Sequence, residues 1–459
     1  MIHRYQKKGL NFVLDVNSGA VHLLDDISYA VSGLLDENMG DTCPQSIIDA
    51  LSDYTADEIR EAYDELYELK KAGQLFAQDD YIDVSRYIPV NAPVKALCLH
   101  VAHDCNLRCQ YCFASTGDFG QGRKIMPPEI AKKAIDFVIA RSGVRHNIEV
   151  DFFGGEPLMA WDTVTQTVDY ARSLEEKHNK KFRFTITTNG LLLDEDKRKY
   201  INENMDNCVL SLDGRREVND EFRKTVAGTG SYDTIVPKFK ALVDERDPNL
   251  DYYARGTFTS HNLDFAEDVL SIADAGFDRL SVEPVTADPG CGYDLTEDDL
   301  PKIEAEYDRL TDIMLERKKE GKPFTFFHFM VDLDQGPCVV KRLRGCGAGY
   351  EYVAVTPDGD IYPCHQFVGK EEFKQGSVLD QSFNMDIAQK FAGMNIYSRP
   401  KCQKCWAKFY CSGGCSAANY NMNHDMNDSY DLGCEMERKR LECAIYLKAM
   451  DKICANQSK

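Results

Sequence analysis

The chain has 459 residues, enough for two or three domains, and 75 acidic against 54 basic side chains give it a formal charge of −21. A balance that acidic argues against nucleic acid or an anionic membrane as the main partner. No apolar run reaches the ~18 residues of a membrane span, and residues 1–8 lack the apolar core of a secretory signal, so a cytoplasmic location is expected, where 17 cysteines point to metal or redox chemistry rather than disulfides.

Residues 1–80 are expected to form a small domain. Phe12, Leu14 and Val16 alternate with Val13 and Asp15, Asn17-Ser18-Gly19 supplies a turn, and 20–24 returns, which predicts a β-hairpin. Helices are expected around 27–35, 44–51 and 55–72. The last is the best specified: Thr55 and Glu58 form a capping box, Ile59, Ala62, Tyr63 and Leu66 an apolar stripe, and Gly73 a stop. A hairpin with three helices resembles a winged helix-turn-helix domain, but this one is acidic and has no basic recognition helix. A linker is placed at 81–93.

From 94 to 293, strands are expected at 96–101, 148–153, 182–187, 208–212, 252–258 and 280–285. Helical patterns fill the gaps, for example 128–141, 232–242 and 263–275. Six such units imply an α/β fold with a parallel sheet and outer helices, whose ligand-binding residues belong in the loops after the strand C-termini. After the first strand stands Cys105-Asn106-Leu107-Arg108-Cys109-Gln110-Tyr111-Cys112. A [4Fe–4S] cluster is normally held by four thiolates, so three close thiols fit a cluster with one iron left open. On spacing alone a zinc site or three ordinary reduced cysteines are equally open. Gly154-Gly155-Glu156-Pro157 follows the second strand, Thr187-Thr188-Asn189-Gly190 the third and Ser211-Leu212-Asp213-Gly214 the fourth.

Residues 294–335 read as a charged, helical bridge with a break at Gly321-Lys322-Pro323. In 336–459 the cysteines crowd. Cys346 precedes Gly359-Asp360-Ile361-Tyr362-Pro363-Cys364, then come Cys402, Cys405, Cys411 and Cys415, and after a gap Cys434. Zinc would explain one C-x2-C knuckle, but seven thiols without an interleaved His pair fit two iron–sulfur clusters better. Cys43, Cys98, Cys208 and Cys291 are isolated and read as buried small hydrophobes. Cys443 and Cys454 read as structural.

Taken together, C-x3-C-x-Y-C after a strand, GGEP, TNG, SLDG and the C-terminal cysteine spacing resemble the radical S-adenosylmethionine (SAM) enzymes that carry a SPASM domain. The resemblance implies a partial (β/α)6 TIM-like barrel between an N-terminal winged-helix-like peptide-recognition domain and a C-terminal cysteine-rich SPASM domain. It implies SAM and three [4Fe–4S] clusters. Cys105, Cys109 and Cys112 would hold the SAM-binding cluster, and Cys402, Cys405, Cys411 and Cys434 one auxiliary cluster. The other would take Cys346, Cys364 and Cys415, with Cys338, outside the core pattern, as a candidate fourth ligand. The SAM-binding set implied is Tyr111, Gly154, Gly155, Glu156, Asn189, Ser211 and Asp213. Glu156 would act on the SAM amino group, and Arg223 and Arg255 are candidates for the SAM carboxylate, either of them equally a surface arginine.

Sulfatase-maturating members carry an aspartate directly after the G-x4-C cysteine, and here that position is His365. The string Pro363-Cys364-His365-Gln366-Phe367 and the N-terminal domain instead resemble maturases that form thioethers in SCIFF peptides, small cysteine-rich precursors with six cysteines in about forty-five residues. The implied reaction joins a cysteine sulfur to a carbon of another residue after hydrogen abstraction by a 5′-deoxyadenosyl radical, the thiolate held at the Cys346/Cys364/Cys415 site. Implied partners are the precursor peptide, whose leader adds a strand to the N-terminal hairpin, and a small electron donor of the flavodoxin or ferredoxin type. A formylglycine-forming sulfatase maturase is the first rival. The second is a non-catalytic iron–sulfur electron carrier, in which GGEP, TNG and SLDG would have no purpose. No catalytic base stands out among the many acidic, Tyr and His residues.

Overall fold

The computed structural model describes residues 1–83, 92–333 and 339–457. Most of the expected linker 81–93, and Cys338, lie outside the described residues. No described helix is long and apolar enough to cross a membrane.

The chain opens with three antiparallel strands, β1 (Ile2–Lys7), β2 (Leu10–Asp15) and β3 (Val21–Leu24), in the order β1-β2-β3. The expected hairpin is the β2–β3 pair. Strand β1 was not foreseen, because IHRYQK carries no apolar alternation. Helices Asp26–Ser32, Gln45–Ala50 and Ala56–Lys71 follow, the last with both arms of its capping box formed between Thr55 and Glu58.

The period of two along β2 places its side chains on two different cores. Val13 joins Val31, Ile59, Tyr63 and Leu66 of the helices. Phe12 and Leu14, with Tyr5, pack on Ile445 and Tyr446 of the long helix Asp431–Gln457. His3 stacks on Trp406 with ring centroids 3.8 Å apart, and Lys7 pairs with Asp308. The N-terminal unit is thus packed between its own helices and the C-terminal region.

Six parallel strands follow at almost the expected places: β4 (Ala96–His103), β6 (Asn147–Gly154), β7 (Lys181–Thr188), β8 (Asn207–Ser211), β9 (Asp251–Phe258) and β10 (Arg279–Pro284), with the short β5 (Lys124–Ile125) antiparallel to β4. They lie in the order β10-β9-β8-β7-β6-β4, and helices such as Pro128–Arg141, Trp161–His178 and Tyr232–Asp244 bury their apolar faces in one core with the strands. This is the α/β partial barrel.

Two extensions of the sheet were not foreseen. β11 (Thr325–Phe326) adds in parallel to β10. On the other edge β12 (Tyr352–Val355) pairs in parallel with β4, Tyr352 opposite Ala96 and Val355 opposite Leu99. From β12 the sheet turns antiparallel through β13 (Asp360–Tyr362), β14 (Gly376–Ser377) and β15 (Ser382–Phe383). The cysteine-rich region therefore begins as a continuation of the barrel sheet. The bridge between them is the helix Leu300–Lys319, which packs on Asp431–Gln457.

Candidate active site

The loops at the C-terminal ends of the parallel strands converge, as parallel barrels require. β4 runs into the cysteine loop, β6 into Gly155-Glu156, β7 into Asn189 and β8 into Leu212-Asp213. Between them is a cavity of about 240 Å³ whose wall includes Cys105, Cys109 and Cys112. The cysteine loop is pinned to the segment after β8: Arg108 N–H donates to Lys224 O at 2.7 Å and Gln110 N–H to Phe222 O at 3.2 Å. The Cys105 sulfur accepts from Leu107 N–H at 3.3 Å and from Asn189 Nδ2 at 3.5 Å.

The glycine pair of GGEP is required by close approach. A Cβ on Gly154, at φ +125°, would stand 2.2 Å from Ala102 O, and one on Gly155 2.1 Å from Asp104 O. Only bare backbone lets β6 press against the cysteine loop.

The Glu156 carboxylate is also engaged by the protein's own groups. It is buried and accepts from Leu158 N–H at 3.0 Å, Thr188 Oγ1 at 2.8 Å and Asn189 N–H at 2.8 Å. It ties the GGEP loop to the TNG loop while standing on the cavity wall. Burial pushes its pKa up to about 7, against the lowering pull of those hydrogen bonds.

Asp213 is no part of the cavity wall. It is fully buried, accepting from the Tyr111 hydroxyl at 2.6 Å and from Thr257 N–H at 3.1 Å, and paired with Arg223 at 3.0 Å. The guanidinium carbon of Arg223 lies 5.6 Å from the Tyr111 ring centroid. Asp213 therefore positions Tyr111 and Arg223, which do line the cavity, as do Gly154, Gly155, Glu156, Asn189, Ser211 and Arg255. Arg223 is buried, whereas Arg255 is exposed at the edge of the cavity. Arg255 is bonded to Glu283 at 2.6 Å.

Sequence reasoning missed Glu283, Thr286 and Phe113 on the same wall. Glu283 was findable, because it ends a parallel strand. Burial raises its carboxyl, but Arg255 and then His328 outweigh that and hold it below the usual range. His365, singled out as a departure from the sulfatase-maturase pattern, also faces the cavity. It is packed against Phe153 and Phe113, and its Nδ1 lies 3.4 Å from the Tyr352 hydroxyl. Burial, then the Arg255 charge, lowers its pKa to about 4, so the imidazole is neutral at pH 7.

The C-terminal cysteines separate into two groups. Cys364 has Cys415 and Cys346 as its electrostatic neighbours, whereas Cys411 has Cys434, Cys402 and Cys405. Cys443 is buried against the Lys7 ammonium at 3.2 Å, consistent with a structural place, while Cys454 is exposed near the end of the last helix. Of the isolated thiols, Cys98 and Cys208 are buried as expected. Cys43 is half-buried and Cys291 is exposed, the latter because it sits in the turn between Gly290 and Gly292, which lies outside the core.

No three His, Cys, Asp or Glu side chains among the described residues stand at metal-ligand spacing. The fit to iron–sulfur clusters rests on the grouping of thiols with few other roles. Burial pushes Cys105 and Cys109 up to about 12, a cost that binding to a soft cation relieves, since a coordinated thiol is deprotonated. Cys105, Cys109 and Cys112 fit an open-iron cluster beside a glycine-lined cavity, and the two C-terminal groups fit further clusters.

A barrel with a cysteine loop at its mouth, joined to a second cysteine constellation, defines an iron–sulfur enzyme of the radical SAM class. Residues 99–251 match the family model of the radical SAM superfamily, and residues 346–406 that of an iron–sulfur cluster-binding domain, SPASM. The chain carries both domains, and with them the architecture of the SPASM-type maturases. It is 25% identical over 354 residues to a cysteine-type anaerobic sulfatase-maturating enzyme of Clostridium novyi, covering 72% of this chain and 90% of that one. It is 24% identical over 353 residues to the radical SAM cyclopropyl synthase TigE of Paramaledivibacter caminithermalis, covering 72% and 70%. The fold matches that of Streptococcus suis SuiB bound to S-adenosylmethionine with a TM-score of 0.53 at 18% identity, over 94% of this chain and 97% of that one. SuiB is also known bound to its precursor peptide SuiA.

Proposed function

We propose that this radical SAM enzyme forms intramolecular thioethers in a ribosomally made, cysteine-rich precursor peptide. The observation that carries the reading is the shared cavity: the wall that holds Cys105, Cys109 and Cys112 also holds His365 and Gln366, which directly follow Cys364. A substrate seated there faces the radical source on one side and the Cys346/Cys364/Cys415 group on the other. When bound, SAM with its cluster supplies a 5′-deoxyadenosyl radical, and the two auxiliary clusters supply one-electron acceptors, for three [4Fe–4S] clusters in all.

The chain's own residues bind and orient. The Gly154–Gly155 backbone and Ser211 form a close-fitting wall for SAM, and Arg223, held by Asp213, presents a fixed cation for its carboxylate. Tyr111 is locked by the same carboxylate. Phe113 and Phe153 pack against His365 and fix its orientation at the cavity wall. Strand β3 is the outer strand of the N-terminal sheet and is half-exposed, with Leu23 at 42%. We assign the leader of the precursor to that edge as an added strand, and the reducing electron to a flavodoxin- or ferredoxin-type donor.

Each crosslink removes one hydrogen from carbon, which goes to the deoxyadenosyl group, and one from the thiol, which leaves as a proton with its electron passed to an acceptor. Incubation with SAM, reductant and a six-cysteine precursor peptide should therefore give a product lighter by two hydrogens with one thiol blocked per crosslink. Rapid SAM cleavage beside an unmodified peptide would sink this substrate class. A formylglycine-forming activity is the second reading, favoured by the similarity to a cysteine-type sulfatase-maturating enzyme and opposed by His365 in place of aspartate. Formylglycine in a Cys- or Ser-containing sulfatase peptide would establish it.

A further inference from the structure

Beside the first cavity a second one, of about 540 Å³, opens outward, and the two share Tyr111, Cys112, Phe113, Thr286, His365 and Gln366. Its walls come from three parts of the chain. One is the loop after Cys112, where Phe113 stands 50% exposed. Another is the loop after β10, with Asp288 and Tyr293. The third is the C-terminal region, with Lys370 and the end of helix Ser416–Asn423, the helix that starts directly after Cys415.

The aromatic rings of this groove are held in place by their polar tips. The Tyr293 hydroxyl donates to Gln110 O at 3.0 Å, and the Tyr420 hydroxyl donates to Glu372 at 2.9 Å. The Lys370 ammonium covers one side of the Tyr420 ring, 5.2 Å from its centroid. The first cavity has bare glycine backbone, two guanidiniums and carboxylates. The second offers fixed aromatic faces with amide and imidazole groups from Asn421, Gln366 and His424, which is the chemistry that grips a peptide backbone and small side chains. Asp288 and Lys370 add opposite charges to the lining, so no net charge is selected.

We propose that the second cavity is the groove through which the segment to be modified passes, as an extended, uncharged stretch of the precursor peptide. It enters along Tyr420 and Met422 and reaches the cysteine loop at Phe113. This rests on the peptide-maturase reading. It adds which surface carries the substrate and explains why that surface is built from both cysteine regions: one cavity is walled both by the loop after Cys112 and by the helix after Cys415. Phe113, His365 and Gln366, common to both cavities, mark where substrate meets SAM. Tyr420, Met422 and Tyr293 become specificity residues.

The test uses the full-length, cluster-loaded protein with SAM and a synthetic six-cysteine precursor peptide that includes its leader. A Met422→p-benzoylphenylalanine variant should, on irradiation, give an adduct that maps to the cysteine-bearing segment of the peptide. Adducts only from the same photoreactive residue at Lys390, on a separate cavity beside Asp425 and Asp428, would overturn the proposal. Tyr420→Ala should raise KM for the peptide about tenfold with kcat within about twofold, and Tyr420→Phe, which keeps the ring, should stay near the parent value. An unchanged KM in Tyr420→Ala would overturn it. An adduct at Met422 with a wild-type product that has lost no hydrogens would keep the groove and sink the thioether reading, so the two fail separately.

Discussion

The two cysteine regions reach similar chemistry by opposite routes. Cys105, Cys109 and Cys112 are eight residues from end to end, on one loop whose shape is set by backbone bonds to residues 222–225. The seven C-terminal cysteines are spread from 346 to 434. Their grouping depends on β12 joining β4, on the short helices Pro400–Gln403 and Lys408–Cys411, and on the long helix Asp431–Gln457. A site built on one loop needs its neighbours only for support, whereas a dispersed site is also a staple of the fold. Metal binding to such a staple is folding free energy.

That contrast can be broken most directly by removing thiols. Replacing Cys105, Cys109 and Cys112 together by Ala should abolish SAM cleavage and lower iron from about 12 to about 8 per chain. The melting temperature should hardly move. Cys411→Ala should instead lower thermal stability by several degrees, corresponding to roughly 2 kcal/mol or more, with SAM cleavage reduced but measurable. Iron and sulfide analysis with a thermal melt reads both, and equal melting temperatures for the two variants would erase the distinction.

The next test asks how far the local loop leans on tertiary structure. Arg223→Met leaves Asp213 as a buried carboxylate without its cation, which should cost about 3–5 kcal/mol in denaturant unfolding and loosen Tyr111. A loss under about 1 kcal/mol would show the loop to be self-sufficient.

Glu156 joins the GGEP and TNG loops and sharpens the same point through pH. Its folded pKa of about 7 lies above its ordinary 4.5, so the native state holds the proton more tightly than the unfolded chain. Its contribution is fully present below about pH 4.5 and is lost as pH rises towards 7, on the order of 3 kcal/mol. Glu156→Gln should flatten that part of the stability–pH curve, and an identical slope in the variant would refute the assignment. Smallest is Thr55→Ala, remote from both cysteine regions. Loss of the capping box should cost about 1 kcal/mol in the N-terminal unit and leave SAM cleavage unchanged.

Much of this was legible in the sequence, and the reasons are particular. The six barrel strands are apolar runs bounded by turn residues, and the helix Pro128–Arg141 was foreseen to the residue, because Pro127-Pro128 starts it and its apolar stripe is regular. The motif loops were legible because catalytic strings in a parallel barrel follow strand ends. Strand β1 was not, because no local pattern marks it and several of its side chains meet residues far along the chain, such as Glu442, which meets His3 at 2.9 Å. The internal bonds of Glu156 and Asp213 were not legible for a related reason: a motif says which carboxylate is near a ligand, not whether its oxygens also accept from backbone N–H groups or pair with a buried guanidinium.

By itself, then, the amino-acid order determined the elements, the three-thiol loop and the pairing of a radical SAM barrel with a cysteine-rich region, because each is written in local spacing. Only the tertiary structure decided that β12 fuses that region to the barrel sheet and that His365 reaches the cavity of Cys112. Those outcomes depend on contacts between residues hundreds of positions apart, where burial and sheet pairing decide and spacing along the chain carries no information.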